Sequence, residues 1–273
     1  MLYLEYVKCG HMRFLLITGK GCAMKGFADI HTHILPGVDD GAADLEQALQ
    51  MVRMAYQEGT RALFLTPHYQ GTYFNGTKQS METAFSEFSQ TVAAEVPQMQ
   101  VYLGSELCFE VELTEKLQRR EACTLGNSRY ILLEFPFELL RFQMISGITE
   151  LVRCGYVPII AHVERCGIFY QYPGLIDEVL KAGALLQLNA DSVMGKQGFW
   201  VKRFCHKLLK ARKVHFIASD THNTTTRPPC LKKCYDRVCK RYGHQYAQNI
   251  FMGNVQAIVE NRPLRGDDYG TAK

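Results

Sequence analysis

No Cys-x-x-Cys pair occurs among the ten cysteines of this 273-residue chain. That absence removes the usual thiolate-zinc and disulfide-exchange motifs. Scattered cysteines in a chain of this size, without an export signal, read as free thiols in a reducing, cytoplasmic compartment. The cluster Cys230, Cys234 and Cys239 falls in a helical stretch and reads as structural. Charge is also scarce, at 21% of residues against 47% apolar, which excludes a disordered chain and fits a well-packed core. No apolar run reaches the roughly 20 residues of a membrane span. The Phe14-Leu-Leu-Ile run in the mildly basic residues 1–25 is too short for a secretory signal, and no small-x-small cleavage site is clear. Those residues are expected to be a loosely packed extension or the product of an upstream start, with Met24 as the natural first residue. Nothing in residues 26–273 resembles a repeat, a low-complexity segment or a linker, so they are expected to form one domain.

Charge of negative sign is nearly missing from one stretch. Thirteen Lys and Arg face only Asp220 and Asp236 between Lys196 and Arg241, a local excess of eleven in a chain of net charge +4. Such a block is a solvated helix face, and it also steers anionic partners. The basic residues are not interleaved with aromatics in a nucleic-acid-binding pattern, and no nucleic acid partner is expected.

Seven short apolar runs alternate with longer helical ones: Phe27–His31, Arg61–Thr66, Met99–Gly104, Tyr130–Glu134, Val157–His162, Ala184–Leu188 and Val214–Ser219. Near-continuous apolar runs are the mark of parallel strands buried on both faces. Leu45, Leu49, Val52 and Tyr56 repeat at helical spacing before Gly59. Further helices are expected around 80–95, 111–120, 139–153, 174–182, 197–212, 229–241 and 246–260. The alternation predicts an α/β fold with a parallel sheet, and seven units suggest a (β/α)7 barrel.

Chemistry gathers where these strands end. The first ends in DIHTHILPGVDDGA (residues 29–42), with His31 and His33 two apart and so on one strand face, followed by Asp39 and Asp40. The second ends in Thr66-Pro67-His68, the third in Gly104-Ser105-Glu106 and the fourth in Glu134. The fifth ends in Ala161-His162-Val163-Glu164-Arg165 and the seventh in Ser219-Asp220-Thr221-His222. In α/β barrels the C-terminal strand ends open on one face, where active sites lie. Six ends therefore aim His, Asp or Glu at one point. Their donors exceed what one ion uses, so two or three ions are expected. Mixed N/O ligation without thiolate suits Mn²⁺, Fe or Zn²⁺, and the share of carboxylates tilts toward Mn²⁺. Closely spaced ions activate a water and clamp phosphoryl oxygens.

These motifs, with LLEFP at 132–136 and SDTHNTTTRPP at 219–229, resemble the PHP superfamily (polymerase and histidinol phosphatase). Within it the chain is similar to the bacterial capsule-type tyrosine phosphatases of the CpsB/CapC group, from about Met24 to its end. The resemblance implies a distorted (β/α)7 barrel of PHP type that hydrolyses phosphotyrosine. It implies one ion on His31, His33, Glu106 and Asp220; a second bridged by Glu106 and held by Glu134 and His162; and a third on Asp40, His68 and His222. Arg165 and Arg227 match its phosphate-binding positions. Glu134 stands where related histidinol phosphatases commonly have His. The implied partner is the tyrosine-rich tail of a bacterial tyrosine kinase controlling exopolysaccharide export, and a homo-oligomer is compatible with the family.

Other readings are a different PHP phosphoesterase such as a histidinol phosphatase, an amidohydrolase, and a catalytically silent module that binds phosphorylated tails. An amidohydrolase usually bridges its ions with a lysine, where Glu106 stands here. Cys123-Thr-Leu-Gly-Asn-Ser-Arg129 has the C-x5-R spacing of thiol-dependent tyrosine phosphatases, but Ala122 replaces the usual His and the stretch enters a strand instead of leaving one. It is expected to be a coincidence. Tyr73 and Phe74, in the loop between Tyr69 and Lys78, are candidates for covering a substrate ring.

Overall fold

The computed structural model describes residues 26–69, 77–136 and 138–264, and the backbone of residues 3–9 and 12–18. Tyr73 and Phe74 lie outside the described residues. Within the stretch read as an extension, β1 (Tyr3–Cys9) and β2 (Met12–Thr18) pair as an antiparallel hairpin.

Among the described residues every other strand pairing is parallel. β3 (Phe27–Thr32), β4 (Thr60–Leu65) and β6 (Gln100–Leu103) form one sheet in the order β3-β4-β6. The second sheet uses β5 (His68–Tyr69), β7 (Glu106–Cys108), β8 (Tyr130–Glu134), β9 (Val157–Ile160), β10 (Leu185–Asn189) and β11 (Phe216–Ala218), in the order β11-β10-β9-β8-β7-β5. All seven expected strands are present; β5 and β7 were not foreseen. They are the far ends of β4 and β6, cut off by Thr66-Pro67 and Gly104-Ser105. Pro67 has no N–H to give to a ladder. Bonds from Gly104 N to Leu65 O (2.9 Å) and from Glu106 N to Pro67 O (3.1 Å) carry the chain across these breaks. At the other edge, Asp220 N donates to His31 O at 2.9 Å and His33 N to Thr221 O at 2.8 Å. The sheets therefore curl toward one another, with β3 beside β11.

The helix Leu45–Gln57 starts at Asp44, whose side chain accepts from Gln47 N at 2.9 Å. It buries Ala48, Leu49, Met51, Val52 and Ala55 against the outer face of the sheets. Lys78–Glu95, Leu113–Gln118, Arg141–Arg153, Leu175–Lys181, Phe199–Lys210 and Leu231–Tyr242 occupy the expected helical stretches. The last stretch is not one helix: His244–Gln248 and Asn254–Val259 flank a π turn at Asn249–Gly253. Short helices at Ile168–Gln171 and Ala190–Met194 carry no long period and were not foreseen. Among the described residues no helix is long and apolar enough to cross a membrane.

A smaller inner cluster joins Ala28 and Ile30, Ala62 and Phe64, Tyr130 and Leu132, Ile159 and Ala161, Leu185, and Phe216 and Ala218, with Val255, Ala257 and Ile258 from the last helix. The i, i+2 recurrence explains the near-continuous apolar runs: alternate residues feed this cluster, and the residues between them feed the larger outer one.

Candidate metal centre

The regular alternation is broken where the polar side chains must converge. In β3, Asp29 pairs with Leu63 but Thr32 pairs with Leu65, so the strand carries an extra residue there. This bulge lets Ile30 fill the inner cluster while His31 and His33 both face the site. His162 follows the inner residue Ala161 with φ 27°, and Asp220 follows β11 with φ 54°. Left-handed backbone at such residues costs about 1–3 kcal/mol and collects at functional sites. Gln187 Oε1 accepts from His162 N at 2.7 Å, which holds that turn.

Glu106 lies at the centre. Its Oε2 is 3.1 Å from His31 Nε2, 3.2 Å from His33 Nε2 and 3.2 Å from His68 Nδ1, and its Oε1 is 2.8 Å from His162 Nε2. Asp220 Oδ1 lies 3.4 Å and 3.5 Å from the same Nε2 atoms of His31 and His33. Glu134 reaches His162 Nε2 at 3.5 Å. Asp40 Oδ1 stands 3.6 Å from His68 Nε2 and 3.5 Å from His222 Nε2. All nine expected ligating residues therefore meet at one place. Four groups have donor atoms within 4.8 Å of one another: His33, Asp40, His68 and His222; His31, His33 and Asp220; His31, Glu106 and His162; His68, Glu106 and Glu134. Arg165 Nη1 and Arg227 Nη2 both reach Asp220 Oδ2, at 3.1 Å and 2.6 Å.

The donor chemistry fits cations. His33 Nδ1 faces Asp39 Oδ2 at 2.6 Å, His31 Nδ1 faces Gln187 Oε1 at 3.4 Å, and His222 Nδ1 faces the Asp220 carbonyl at 3.0 Å. Each partner only accepts, so each Nδ1 carries the proton and each Nε2 lone pair is turned inward. There the Nε2 atoms of His31 and His33 stand 3.2 Å apart, facing carboxylate oxygens. With the imidazoles neutral, lone pairs and anions would converge with no donor between them. Positive charge is what such a cavity demands, and the ionisation of the groups shows the same pull. Burial alone would depress the His33 imidazole, but Asp39 and Glu106 outweigh it and hold it up at about 10. Burial would likewise raise Glu106 and Asp220, yet the surrounding histidines keep both well below the usual carboxylate range, with Arg227 also acting on Asp220. Burial pushes His222 down to about 3, and the neighbouring His33 adds to this. Burial and the Glu106 charge raise Glu134.

A second layer of polar groups was not picked out as site residues. Asp39 Oδ2 also accepts from His68 N at 3.0 Å, and its Oδ1 accepts from Gly41 N at 3.0 Å. Gln187 Nε2 donates to Asn189 Oδ1 at 2.8 Å, and Asn189 Nδ2 to Asp220 Oδ2 at 2.7 Å. Asp29 Oδ1 accepts from Ser219 N at 3.0 Å, tying β3 to the end of β11. The signal for Gln187 and Asn189 was the i, i+2 polar pair on the sixth strand, the same pattern as His31 and His33. The thiol of Cys123 is buried and pushed up to about 11, and Arg129 beside β8 bonds to Asn261, so the C-x5-R stretch forms no phosphate cradle.

Comparison with known proteins finds clear relatives of the chain. The family profile for capsular polysaccharide synthesis, CpsB/CapC, matches residues 27–260. The chain is 33% identical over 236 residues to the tyrosine-protein phosphatase YwqE of Bacillus subtilis (strain 168), covering 86% of this chain and 92% of that protein. A structure from work on YwqE of Bacillus subtilis and CpsB of Streptococcus pneumoniae, described as unique metal-dependent tyrosine phosphatases, superposes with a TM-score of 0.80 at 29% identity, covering 87% of this chain and 96% of that one. The histidinol phosphate phosphatase of Lactococcus lactis superposes with a TM-score of 0.56 at 14% identity, over 84% of this chain and 98% of that one, a likeness of fold.

Proposed function

The chain belongs to the CpsB/CapC capsular polysaccharide synthesis family, and on that premise we propose that it is a metal-dependent protein-tyrosine phosphatase. The observation that carries the reading is the inward convergence of imidazole lone pairs and carboxylates on Glu106, beside two arginines. We assign His31, His33, Glu106 and Asp220 to one ion, and Glu134 and His162 with Glu106 to a second. Asp40, His68 and His222 take a third, and His33 also lies within reach of that group. Mn²⁺ suits this mixed set best, with Fe or Zn²⁺ as alternatives. The curled sheets, with seven strand positions and β3 hydrogen-bonded beside β11, support a distorted (β/α)7 barrel with its metals at the C-terminal strand ends. Residues 26–273 are read as the phosphatase domain.

Bound divalent ions supply charge neutralisation and an acidified water. The chain's own residues do the positioning. Arg165 is exposed and Arg227 half-buried, with their guanidinium groups on Asp220 Oδ2, and planar forks of this kind pair bidentately with a phosphoryl group. Asn189 keeps its bond to Asp220 and fixes that carboxylate while the arginines turn to substrate. A tyrosyl leaving group, of pKa about 10, departs with little protonation, which suits a site whose Glu106 and Asp220 carboxylates are held ionised. The substrate we infer is the tyrosine-rich tail of a bacterial tyrosine kinase, met in the cytoplasm, and the basic stretch between Lys196 and Arg241 supports attraction of an anionic tail.

The test is phosphate release by the Mn²⁺-loaded protein from a phosphotyrosine peptide and from histidinol phosphate. Preference for the peptide is expected. Faster turnover of histidinol phosphate would overturn the assignment.

A further inference from the structure

Trp200 is the only tryptophan of the chain, and it is 73% exposed beside Phe199, itself 68% exposed. Their rings meet edge to face with centroids 5.3 Å apart. The helix they begin, Phe199–Lys210, buries Cys205, Leu208 and Leu209 instead, so the fold leaves both aromatics uncovered. An exposed pair of large rings marks a contact surface more often than chance.

Its location says what the contact is for. Gly195 and Gly198, with φ of 100° and 99°, turn the chain out of the helix Ala190–Met194. Between them, Lys196 and Gln197 line a cavity of about 150 Å³ that Arg165, Asn189, Asp220 and Arg227 also line. The aromatic pair follows Gln197 by two residues along the chain, so it stands next to the segment that lines the cavity with both arginines. An extended peptide advances about 3.3–3.6 Å per residue, so residues one to three places from a tyrosine whose phosphate sits at those arginines sweep this rim. Lys196, Lys202 and Arg203 stand close to the pair along the chain and give this segment a positive charge that suits an acidic chain. Exposed Trp beside lysines also suits a bilayer surface, but nearness along the chain to a cavity lined by both arginines favours a polypeptide that can enter it.

Resting on the phosphatase reading, we propose that Phe199 and Trp200 form the platform for the apolar or aromatic side chains that flank phosphotyrosine in the protein substrate. They are specificity residues that touch the polypeptide and leave the reacting phosphoryl group alone.

Because Trp200 is the sole tryptophan, its emission reports this spot directly. The Mn²⁺-loaded protein is titrated with a tryptophan-free peptide that carries a non-hydrolysable phosphonate analogue of phosphotyrosine and aromatic flanking residues, while calorimetry follows binding. A saturable change in Trp200 emission is expected, with the dissociation constant raised about five- to tenfold in Phe199→Ala. A peptide with glycine flanks is expected to bind the wild type and Phe199→Ala alike. Calorimetric binding with unchanged Trp200 emission would overturn the proposal. So would emission that responds to phosphatidylserine vesicles and not to the peptide. Hydrolysis of p-nitrophenyl phosphate, expected to be equal in wild type and Phe199→Ala, tests the phosphatase reading separately, since the emission readout needs no turnover.

Discussion

Replacing Asp39 by Asn tests whether the second layer of the site sets its affinity for metal. Asp39 is buried and receives three donors: His33 Nδ1 at 2.6 Å and His68 N at 3.0 Å on Oδ2, and Gly41 N at 3.0 Å on Oδ1. A carboxylate satisfies all three because it only accepts. An amide of the same shape has one accepting oxygen, so its NH2 must face either Gly41 N–H or the two histidine donors. One buried donor then loses its partner, at about 1–3 kcal/mol of folding stability. His33 also loses the anion that fixes its tautomer and strengthens its Nε2 as a ligand. Losses of this kind weaken metal binding about 10- to 100-fold, or roughly 1.4–2.8 kcal/mol at 1.4 kcal/mol per decade. The assay is peptide phosphatase activity against free Mn²⁺ concentration. The midpoint should move up by that factor while the rate at saturating Mn²⁺ stays within a few-fold of wild type. An unchanged midpoint would refute the reasoning, because His33 would then need no anchored tautomer to serve as a ligand.

Other outcomes follow from the same geometry. A Cβ on Gly41 would lie 2.0 Å from the His33 carbonyl oxygen, so Gly41→Ala should displace His33 and abolish Mn²⁺-dependent activity; normal activity in that variant would contradict the close approach. Cys123→Ser should retain full activity, since the thiol is buried and pushed up to about 11, and a dead but folded variant would reopen thiol chemistry. His215 is buried, accepts from Leu186 N at 3.1 Å, and is held down at about 3 by burial. Its folded pKa lies below the unfolded value, so the unfolded chain binds the extra proton and stability falls as pH drops from about 6.5 toward 3, by up to about 5 kcal/mol. His215→Asn keeps an acceptor for Leu186 N. Urea midpoints of the metal-stripped proteins should therefore fall less steeply with acid in the variant; parallel profiles would rule His215 out.

What could be read from the sequence, and what could not, divides along a physical line. Ala62 and Phe64, Tyr130 and Leu132, and Ile159 and Ala161 face the inner cluster while Leu63, Ile131, Leu133 and Ile160 face the outer one, so these strands are nearly unbroken apolar runs that stand out without any partner. Most of the candidate ligands were legible for the same local reason: all but Asp40, which lies beyond the Pro36-Gly37 turn, stand at or just past the ends of those runs. The bulge in β3 and the left-handed turns at His162 and Asp220 were not, because they depend on what lies across the sheet. The supporting bonds were hidden by distance along the chain: Gln187 reaches back 25 residues to His162, and Asn189 reaches forward 31 to Asp220. Neutral amides also carry no titratable signature to draw attention. The last helical stretch reads as continuous because its apolar spacing survives the π turn at Asn249–Gly253.

The most direct test of the account is phosphate release from a phosphotyrosine peptide by chelator-stripped protein, before and after Mn²⁺ is added. The convergence of Nε2 lone pairs and carboxylates on Glu106 predicts no release before addition, and activity that rises with bound Mn²⁺. Turnover by protein shown to be free of metal would contradict it.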